Sequence, residues 1–314
     1  MRIFVTGATG VIGRRVIPIL RAGRHRVSAV ARSAVKRAAF ERLGVNAIDV
    51  SLFDPAALRN AMAGHDAVVN LATHLPTSMR IFRPGAWQEN DRVRREGSAN
   101  LVDAALAVGV ERFLQESFAP VYPDCGHRWI DEDTPIAPVA YNATVADAER
   151  SAQRFTGSGR AGIVLRFAYF YGPDAAQVID AIRFVRHGWA LIPGAPQSYC
   201  SSVSHDDDAA AVVAALGARA GAYNVSDDEP LTRREYFDVL AKALGVAPPK
   251  IPAPWVATLF GSLGKMLTRS QRISNRKLRD ECGWAPRYPS MREGWPAVLR
   301  ALDERLAHAN PPVI

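Results

Sequence analysis

The 314-residue chain contains little cysteine, no long hydrophobic run and no leader-like start, and each absence excludes a class of protein. Its three cysteines, Cys125, Cys200 and Cys282, are far apart and have none of the spacings of a zinc site or a disulfide framework. No apolar run approaches the ~18 residues of a membrane helix. The first residues enter a strand pattern directly, without the charged and apolar parts of a signal peptide. We therefore expect a soluble cytoplasmic protein with free thiols, no membrane segment and no metal site.

Lysine is also scarce, although the chain is basic. Lys and Arg together number 39 against 31 acidic residues, a net charge of +8, but the only lysines are Lys36, Lys242, Lys250, Lys265 and Lys277. The basic residues are spread along the chain, and there is no zinc finger, basic zipper or aromatic RNA-binding signature. We do not expect nucleic-acid binding, and an anionic cofactor or small-molecule substrate explains the charge better.

The first 170 residues alternate short apolar runs with helical patterns. The runs predict strands at Ile3–Val5, His25–Ala31, Ala47–Val50, Ala67–Leu71, Arg112–Gln115 and Gly162–Phe167. The patterns between them predict helices at Val11–Arg21, Ala34–Leu43, Pro55–Met62, Trp87–Ala107 and Tyr141–Phe155. This alternation predicts an α/β fold, a Rossmann-type doubly wound parallel sheet covered on both faces.

The alternation stops after residue 172. Most of the remaining chain predicts helices, at Asp207–Leu216, Thr232–Leu244, Pro254–Met266, Ser274–Cys282 and Ser290–Ala307, with one further strand in "GAYNV". We expect a dinucleotide-binding domain at 1–172 and a smaller, mainly helical substrate-binding part at 173–314, with some elements interleaved.

A glycine motif, "TGATGVIG", joins the first strand to the first helix. Gly7, Gly10 and Gly13 have the spacing G-x-x-G-x-x-G in the strand–turn–helix context that gives such a motif meaning. Glycine lets the backbone approach a pyrophosphate, which then lies on the N–H groups of the helix N-terminus. We expect this loop, including Thr9, Val11 and Ile12, to bind a dinucleotide; the alternative is a merely glycine-rich turn.

The end of the second strand indicates which dinucleotide. Enzymes that use NAD place an acid there for the ribose hydroxyls, whereas an arginine suits the 2′-phosphate of NADP. Here the strand ends with Arg32, followed by Lys36 and Arg37. We predict NADP(H), with NAD as the alternative if Arg32 is only a surface arginine.

These motifs resemble the extended short-chain dehydrogenase/reductases, a family that includes nucleotide-sugar epimerases and dehydratases. The resemblance covers nearly the whole chain, and rests on "TGATGVIG", "VVNLAT", "EGSANLVDAAL", "VERFLQES", "LRFAYFYGP", "SVSHDDDAAA" and "GAYNVSDDEPLT". It implies that Asp49 and Val50 flank the adenine. It also implies that Leu71, Ala72 and Thr73 line the cofactor beyond the pyrophosphate.

The same resemblance implies a homodimer. In the family, the helices equivalent to Trp87–Ala107 and Tyr141–Phe155 pair across a two-fold axis. Small residues on these helices permit a close approach, and the candidates are Ala104, Ala105, Ala148 and Ala152.

The catalytic positions of the family are a Ser or Thr, a Tyr, and a Lys four residues after that Tyr. Tyr141 matches the tyrosine, but Val145 stands at the lysine position. Phe118 stands where the hydroxyl residue is usual, with Ser117 one place earlier, and Arg94 replaces an asparagine. The candidate catalytic residues are therefore Tyr141, which would also contact the cofactor, and Ser117.

Loss of the lysine favours one direction of reaction. A tyrosine with a pKa near 10 is ionised to about one part in a thousand at neutral pH, which makes it a poor base. A neutral phenol can still give a proton to a forming alkoxide, so the site tolerates reduction better than oxidation. Arg94 would supply part of the missing charge if it points inward. The alternatives are that Tyr141 is a packed aromatic and Ser117 a strand-end hydrogen-bonding residue.

Four residues are candidates for contacting substrate: His74, Phe118, Tyr169 and Tyr171. Aromatic walls would favour a substrate more apolar than a nucleotide sugar. The acids of "SHDDD" (204–208) suggest a metal less than a helix start, where acids offset the helix dipole. The leading interpretation is an NADP-dependent reductase acting on a carbonyl of a small, partly apolar molecule. The alternatives are a nucleotide-sugar epimerase or dehydratase, and a non-catalytic NADP(H) sensor.

Overall fold

The structure, a computed structural model, describes residues 1–75 and 85–309, with side chains in the last helix described as far as Arg305. Its strands are β1 Arg2–Thr6, β2 Arg26–Val30, β3 Asn46–Ile48, β4 Ala67–Asn70, β5 Arg112–Phe118, β6 Trp129–Ile130, β7 Ala161–Phe167, β8 Tyr169–Tyr171, β9 Tyr199–Cys200, β10 Ser202–Ser204, β11 Gly221–Val225, β12 Leu231–Thr232 and β13 Arg272–Ile273.

The α-helices are α1 Gly13–Ala22, α2 Ala34–Arg42, α3 Pro55–Met62, α4 Gln88–Arg92, α5 Ser98–Ala107, α6 Ala143–Gly157, α7 Ala176–Arg186, α8 His205–Ala214, α9 Arg233–Ala243, α10 Gly261–Leu267, α11 Arg276–Cys282 and α12 Met291–Ala309. Several carry the caps that their sequences predict. Asp54 caps α3 ahead of a proline, and Thr232 and Glu235 form a capping box on α9.

The predicted fold class is confirmed. Seven parallel strands form one sheet in the order β11-β7-β5-β4-β1-β2-β3. The order reverses between β1 and β4, and ligands of such sheets bind in the crevice outside the carboxyl ends of the strands at this switch point. The glycine loop follows β1 and the residues from Leu71 follow β4, so both predicted cofactor segments lie at the crevice.

Apolar side chains cover both faces of the sheet. Because β-strand side chains alternate, Ile3 and Val5 belong to one buried cluster while Phe4 belongs to another. A third cluster joins α7, α9 and α12 in the C-terminal part around Phe237 and Trp295. The C-terminal part is tied into the sheet because β11 pairs with β7, and a separate two-stranded sheet joins β8 to β10.

Local structure differs from the predictions in several places, including Pro254–Met266, whose first half, Pro254–Phe260, is a 3-10 helix. The helix predicted over 87–107 is interrupted by a π-helical turn at Val93–Gly97, between α4 and α5. Tyr141 lies in a 3-10 turn, Ala140–Asn142, that precedes α6 instead of in the first α-helical turn. Helix α7 was missed because its sequence follows the proline and glycine of "YGPDAA", which read as a break in the pattern.

The small residues proposed for a dimer face lie inside the chain. Ala104, Ala105, Ala148 and Ala152 are each at most 1% exposed, because α5 and α6 pack on the sheet and on each other. These four alanines therefore supply no surface for a partner subunit, and the homodimer remains a prediction without them. None of the helices in the described ranges is long and apolar enough to cross a membrane.

Candidate active site

The glycine loop closes the crevice as the motif predicts. Gly7 has φ +67°, and a Cβ there would lie 2.2 Å from the carbonyl oxygen of Leu71. A Cβ at Gly13 would lie 2.3 Å from the oxygen of Gly7. At Gly10 such a Cβ would have one close neighbour among the described residues, Gly7 O at 3.2 Å, so they leave space outside the loop. Glycine is thus required for packing at two positions and leaves room at the third. This cradle fits a pyrophosphate at the N-terminus of α1, where the first N–H groups have no partner inside the helix.

Two cations follow the end of β2, and one of them contacts the glycine loop. Arg32 is exposed at the strand end, and Lys36 lies on α2 with its Nζ 3.4 Å from the hydroxyl of Thr9. Ser33 caps α2 by accepting from the backbone N–H of Lys36, which fixes the start of this helix beside the loop. The arrangement provides two positive groups, Arg32 and Lys36, between the end of β2 and the start of α2.

The third cation of this region is already paired. Arg37 donates to Asp49 Oδ2 at 2.7 Å and to the carbonyl of Arg32 at 3.3 Å. The carboxylate predicted beside the adenine is therefore held by an arginine. Val50 next to it is buried under the sheet edge and is only 5% exposed.

Polar bonds fix the segment that follows β4. Leu71 N–H donates to Thr6 O, and Ala72 N–H donates to Asn70 Oδ1 at 3.2 Å. The backbone N–H of His74 donates to Asn90 Oδ1 at 3.0 Å, and Asn90 is buried in α4. Leu71 to His74 thus line the crevice with a fixed backbone, while the imidazole of His74 is exposed.

Tyr141 lies at the edge of the crevice in an apolar environment. Its ring meets Trp87 edge to face, with centroids 4.6 Å apart. Asn142 anchors the turn, since its Oδ1 accepts from Val139 N–H at 2.8 Å and its Nδ2 donates to a backbone carbonyl. Val145 is fully buried. Burial raises the pKa of Tyr141 to about 12, against the opposing effect of the positive charge on Arg94.

Arg94 does point inward. It lies in the π-helical turn, where the widened backbone re-aims side chains relative to an α-helix. Its Nη2 lies 3.6 Å from Glu116 Oε1, and both side chains are less than 10% exposed. Burial raises the pKa of Glu116, whose Oε2 has no partner among the described residues. A cation therefore does act on Tyr141, but from a different element than the family's lysine.

Ser117 lies outside the crevice, contrary to its predicted catalytic role. Its hydroxyl donates to Glu149 Oε1 at 2.5 Å, and the same carboxylate receives two hydrogen bonds from Arg166, at 2.8 and 2.7 Å. Arg166 also donates to the hydroxyl of Tyr122. Because side chains alternate along β5, Ser117 faces this buried network and Phe118 faces the crevice.

The aromatic wall contains two of its three predicted members. Phe118 and Tyr169 meet edge to face with centroids 5.8 Å apart, and Tyr169 interacts electrostatically with Tyr141. Tyr171 is only 1% exposed and packs against Trp295 in the C-terminal cluster. The prediction that Tyr171 contacts substrate is corrected: it lies two residues farther along the same face of β8, where Trp295 covers it.

The acids of 204–208 begin a helix. Ser204 caps α8 by accepting from Asp207 N–H, and His205 Nδ1 lies 2.9 Å from Asp174, which also pairs with Arg15. Burial lowers the pKa of His205 to about 3, so it is neutral. The described residues contain no group of His, Cys, Asp and Glu that could hold a metal ion.

The sequence of the chain matches that of a known protein family. The model of the NAD dependent epimerase/dehydratase family matches residues 3–225. The chain belongs to this family. Its relatives include the 3-diazoavenalumate denitrifying reductase of a Streptomyces species, 34% identical over 94% of this chain and 99% of the relative. A ketoreductase of a farnesyl dihydroquinoline oxide from Stigmatella aurantiaca is 29% identical over 78% of this chain and 74% of the relative.

Solved structures of the family share the fold. A human epimerase family protein with NADPH has a TM-score of 0.78 at 21% identity and covers 96% of this chain and 99% of its own. The dTDP-glucose 4,6-dehydratase of Streptomyces venezuelae, with NAD bound, has a TM-score of 0.77 at 22% identity, over the full length of both chains. By its family and its reductase relatives, the chain is an NAD(P)-dependent oxidoreductase or epimerase.

The sequence indicates Tyr141 and Arg94, but it does not predict the side chains that contact them. Arg94 stands out in the sequence because it replaces an asparagine of the family. Glu116 is not identified from the sequence. Its signal is an acid directly after the predicted buried strand Arg112–Gln115, where a carboxylate needs a partner. Trp87 is predicted only as the first residue of a helix, and its contact with Tyr141 is seen only in the structure.

Proposed function

We propose that the chain is an NADPH-dependent reductase of a small, partly apolar and aromatic or conjugated substrate. The observation that carries this proposal is Tyr141, partly buried beside Trp87 in an aromatic crevice, where Arg94 and no lysine of the described residues acts on it. A nucleotide sugar is a poorer match for walls made by Phe118 and Tyr169.

The glycine loop would hold the pyrophosphate, and Arg32 with Lys36 the 2′-phosphate. The bound cofactor supplies the hydride. Arg32 and Lys36 support NADP, because a phosphate attracts cations and a free ribose hydroxyl does not. Asp49 argues little for NAD, since Arg37 neutralises it.

Tyr141 would act as a proton donor. With its pKa at about 12, the phenol keeps its proton at neutral pH and cannot serve as a base. Reduction of a carbonyl needs such a donor at the forming alkoxide, so an aldehyde or ketone is the first candidate acceptor. The two ketoreductase-type functions named among the relatives support it.

A diazo group is the second candidate, and a specific observation favours it. The site lacks the ammonium group that carbonyl chemistry in this family uses, and Val145 fills its place. An arenediazonium group that accepts hydride becomes a C–H bond and N₂, and no alkoxide has to be protonated. The denitrifying reductase similar to this chain carries out a reaction of this name.

Two assays separate these functions. Purified protein is first tested for bound nucleotide, and NADPH consumption is then followed with aromatic aldehydes, 3-oxoacids and benzenediazonium salts, with product analysis. We expect no tightly held NAD, and turnover that yields either an alcohol or a denitrified arene. Stoichiometric bound NAD would instead indicate an epimerase or dehydratase. Tight NADPH binding without turnover across the panel would indicate a sensor.

A further inference from the structure

Arg233 is a buried cation in the C-terminal part that the proposed chemistry does not use. It is the first residue of α9, directly after the capping residue Thr232, and its side chain is only 2% exposed. Arginine is among the residues least often fully buried unless it is paired. Its burial therefore requires an explanation.

The described contacts leave much of this guanidinium unsatisfied. Nη2 donates to the carbonyl of Leu267 at 2.9 Å, and Nε has no partner among the described residues. Gly194, with φ +146°, lies directly against it: a Cβ there would be 2.8 Å from Nε. The backbone at Gly194 thus packs against the guanidinium but does not neutralise its charge.

No acidic side chain of the described residues forms an ion pair with Arg233. The rest of the sequence, 76–84 and 310–314, contains no Asp or Glu. The next residue shows the contrast. Arg234 is partly exposed and pairs with Asp238, Nε to Oδ2 at 2.8 Å. A buried, unpaired charge is unfavourable unless a ligand completes it.

Arg233 lies near the turn that carries Tyr141, because its Nη2 donates to the carbonyl of Leu267 and the adjacent Met266 contacts Asn142 of that turn. Arg233 and Arg269 both oppose the burial that raises the pKa of Tyr169, whose ring meets Phe118 in the crevice. Arg269 uses its donors on backbone carbonyls, including Tyr122 O at 2.7 Å and Ala137 O at 2.8 Å. Of the two cations that act on Tyr169, Arg233 is therefore the one with unused hydrogen-bond donors.

We propose that Arg233 binds a carboxylate of the substrate beside the aromatic wall of the crevice. This inference rests on the proposed reductase function and gives its substrate class: an aromatic or conjugated carboxylic acid. A planar guanidinium and a carboxylate form two parallel hydrogen bonds, which fixes orientation as well as affinity. A single such group suits one carboxylate better than a nucleoside diphosphate, which spreads its charge over two phosphates.

Binding is tested in the unreactive complex with NADP⁺, separately from turnover. The probes are 4-hydroxycinnamate, its neutral methyl ester, and phenyl phosphate, measured by calorimetry. Because hydrogen bonds to charged groups are the strong ones, we expect the acid to bind at least about tenfold more tightly than the ester. Arg233→Met should abolish this preference, and Arg234→Met, the matched control, should keep it. Arg233→Lys keeps the charge and should retain part of the preference if the methionine variant does not fold.

The outcomes separate the two proposals. Equal affinity of wild type for acid and ester, or a preference that survives in Arg233→Met, overturns the carboxylate site. Tighter binding of phenyl phosphate than of the acid overturns the carboxylate assignment. Acid-selective binding without NADPH turnover would leave the site standing and contradict the reductase function.

Discussion

The guanidinium of Arg94 lies 3.6 Å from a carboxylate oxygen of Glu116, and this buried pair stands next to Tyr141. It explains how a family member without the usual lysine keeps a positive charge near its tyrosine. The pair also has a consequence for stability, because removing one partner of a buried ion pair leaves the other uncompensated.

We expect Arg94→Met to lower the free energy of unfolding by about 3–5 kcal/mol. Adding Glu116→Gln to the same protein should recover much of this loss, since it removes the orphaned charge. Urea unfolding of wild type, both single variants and the double variant measures the coupling. Arg276→Met, in the exposed pair with Asp280, is the control and should change little. Simple additivity of the two changes would contradict the pairing.

The role of Tyr141 depends on the hydride acceptor. Tyr141→Phe keeps the ring against Trp87 and removes only the hydroxyl. With a carbonyl substrate, kcat should fall by about 10²–10⁴-fold, the usual contribution of general acid catalysis, with NADPH affinity unchanged. With a diazo substrate the rate should change little. Stopped-flow NADPH oxidation on a confirmed substrate gives the answer, and an unchanged carbonyl rate would show that Tyr141 only packs.

Cofactor choice is predicted to depend on Arg32. Arg32→Asp should weaken NADPH binding by about 1.5–3 kcal/mol, the value of a charge-assisted hydrogen bond, and affect NADH far less. Arg26→Asp makes the same charge change at the other end of β2 and serves as the control. Fluorescence titration measures both nucleotides. Wild type that binds NADH as tightly as NADPH would refute the assignment.

A buried carboxyl should give the protein a pH-dependent stability. Asp208 is fully buried, neither of its oxygens has a partner among the described residues, and burial with the nearby Asp207 raises its pKa well above the usual range, against a lowering effect of Arg15. The folded state therefore holds a proton that the unfolded chain releases above about pH 4. The contribution of this proton to the free energy of unfolding is complete below about pH 4. It is lost as the pH rises towards the pKa of Asp208 in the folded state.

We therefore expect Asp208→Asn, which is neutral at every pH, to stabilise the fold more at pH 8 than at pH 5. Thermal unfolding at the two pH values checks the difference. Asp280→Asn, on the exposed face of α11, should show no such dependence. An equal effect of Asp208→Asn at both pH values would mean that the carboxyl is ionised in the folded state.

The sequence by itself determined the fold class and the position of the crevice at the ends of β1 and β4. Both depend on local patterns: the alternation of strand and helix signals, and the spacing of three glycines in the short segment that joins β1 to α1. Gly7 illustrates the point, since its positive φ and its contact with Leu71 follow from a short motif at the end of β1.

The tertiary structure alone decided which side chains meet in the site. Ser117 and Phe118 are neighbours in sequence, yet strand alternation sends one into a buried network and the other into the crevice. Arg94 reaches Glu116 only because a π-helical turn re-aims it, and Arg233 acts on Tyr169 from a helix more than sixty residues away. Such contacts depend on the direction of side chains on separate elements, which no local pattern encodes.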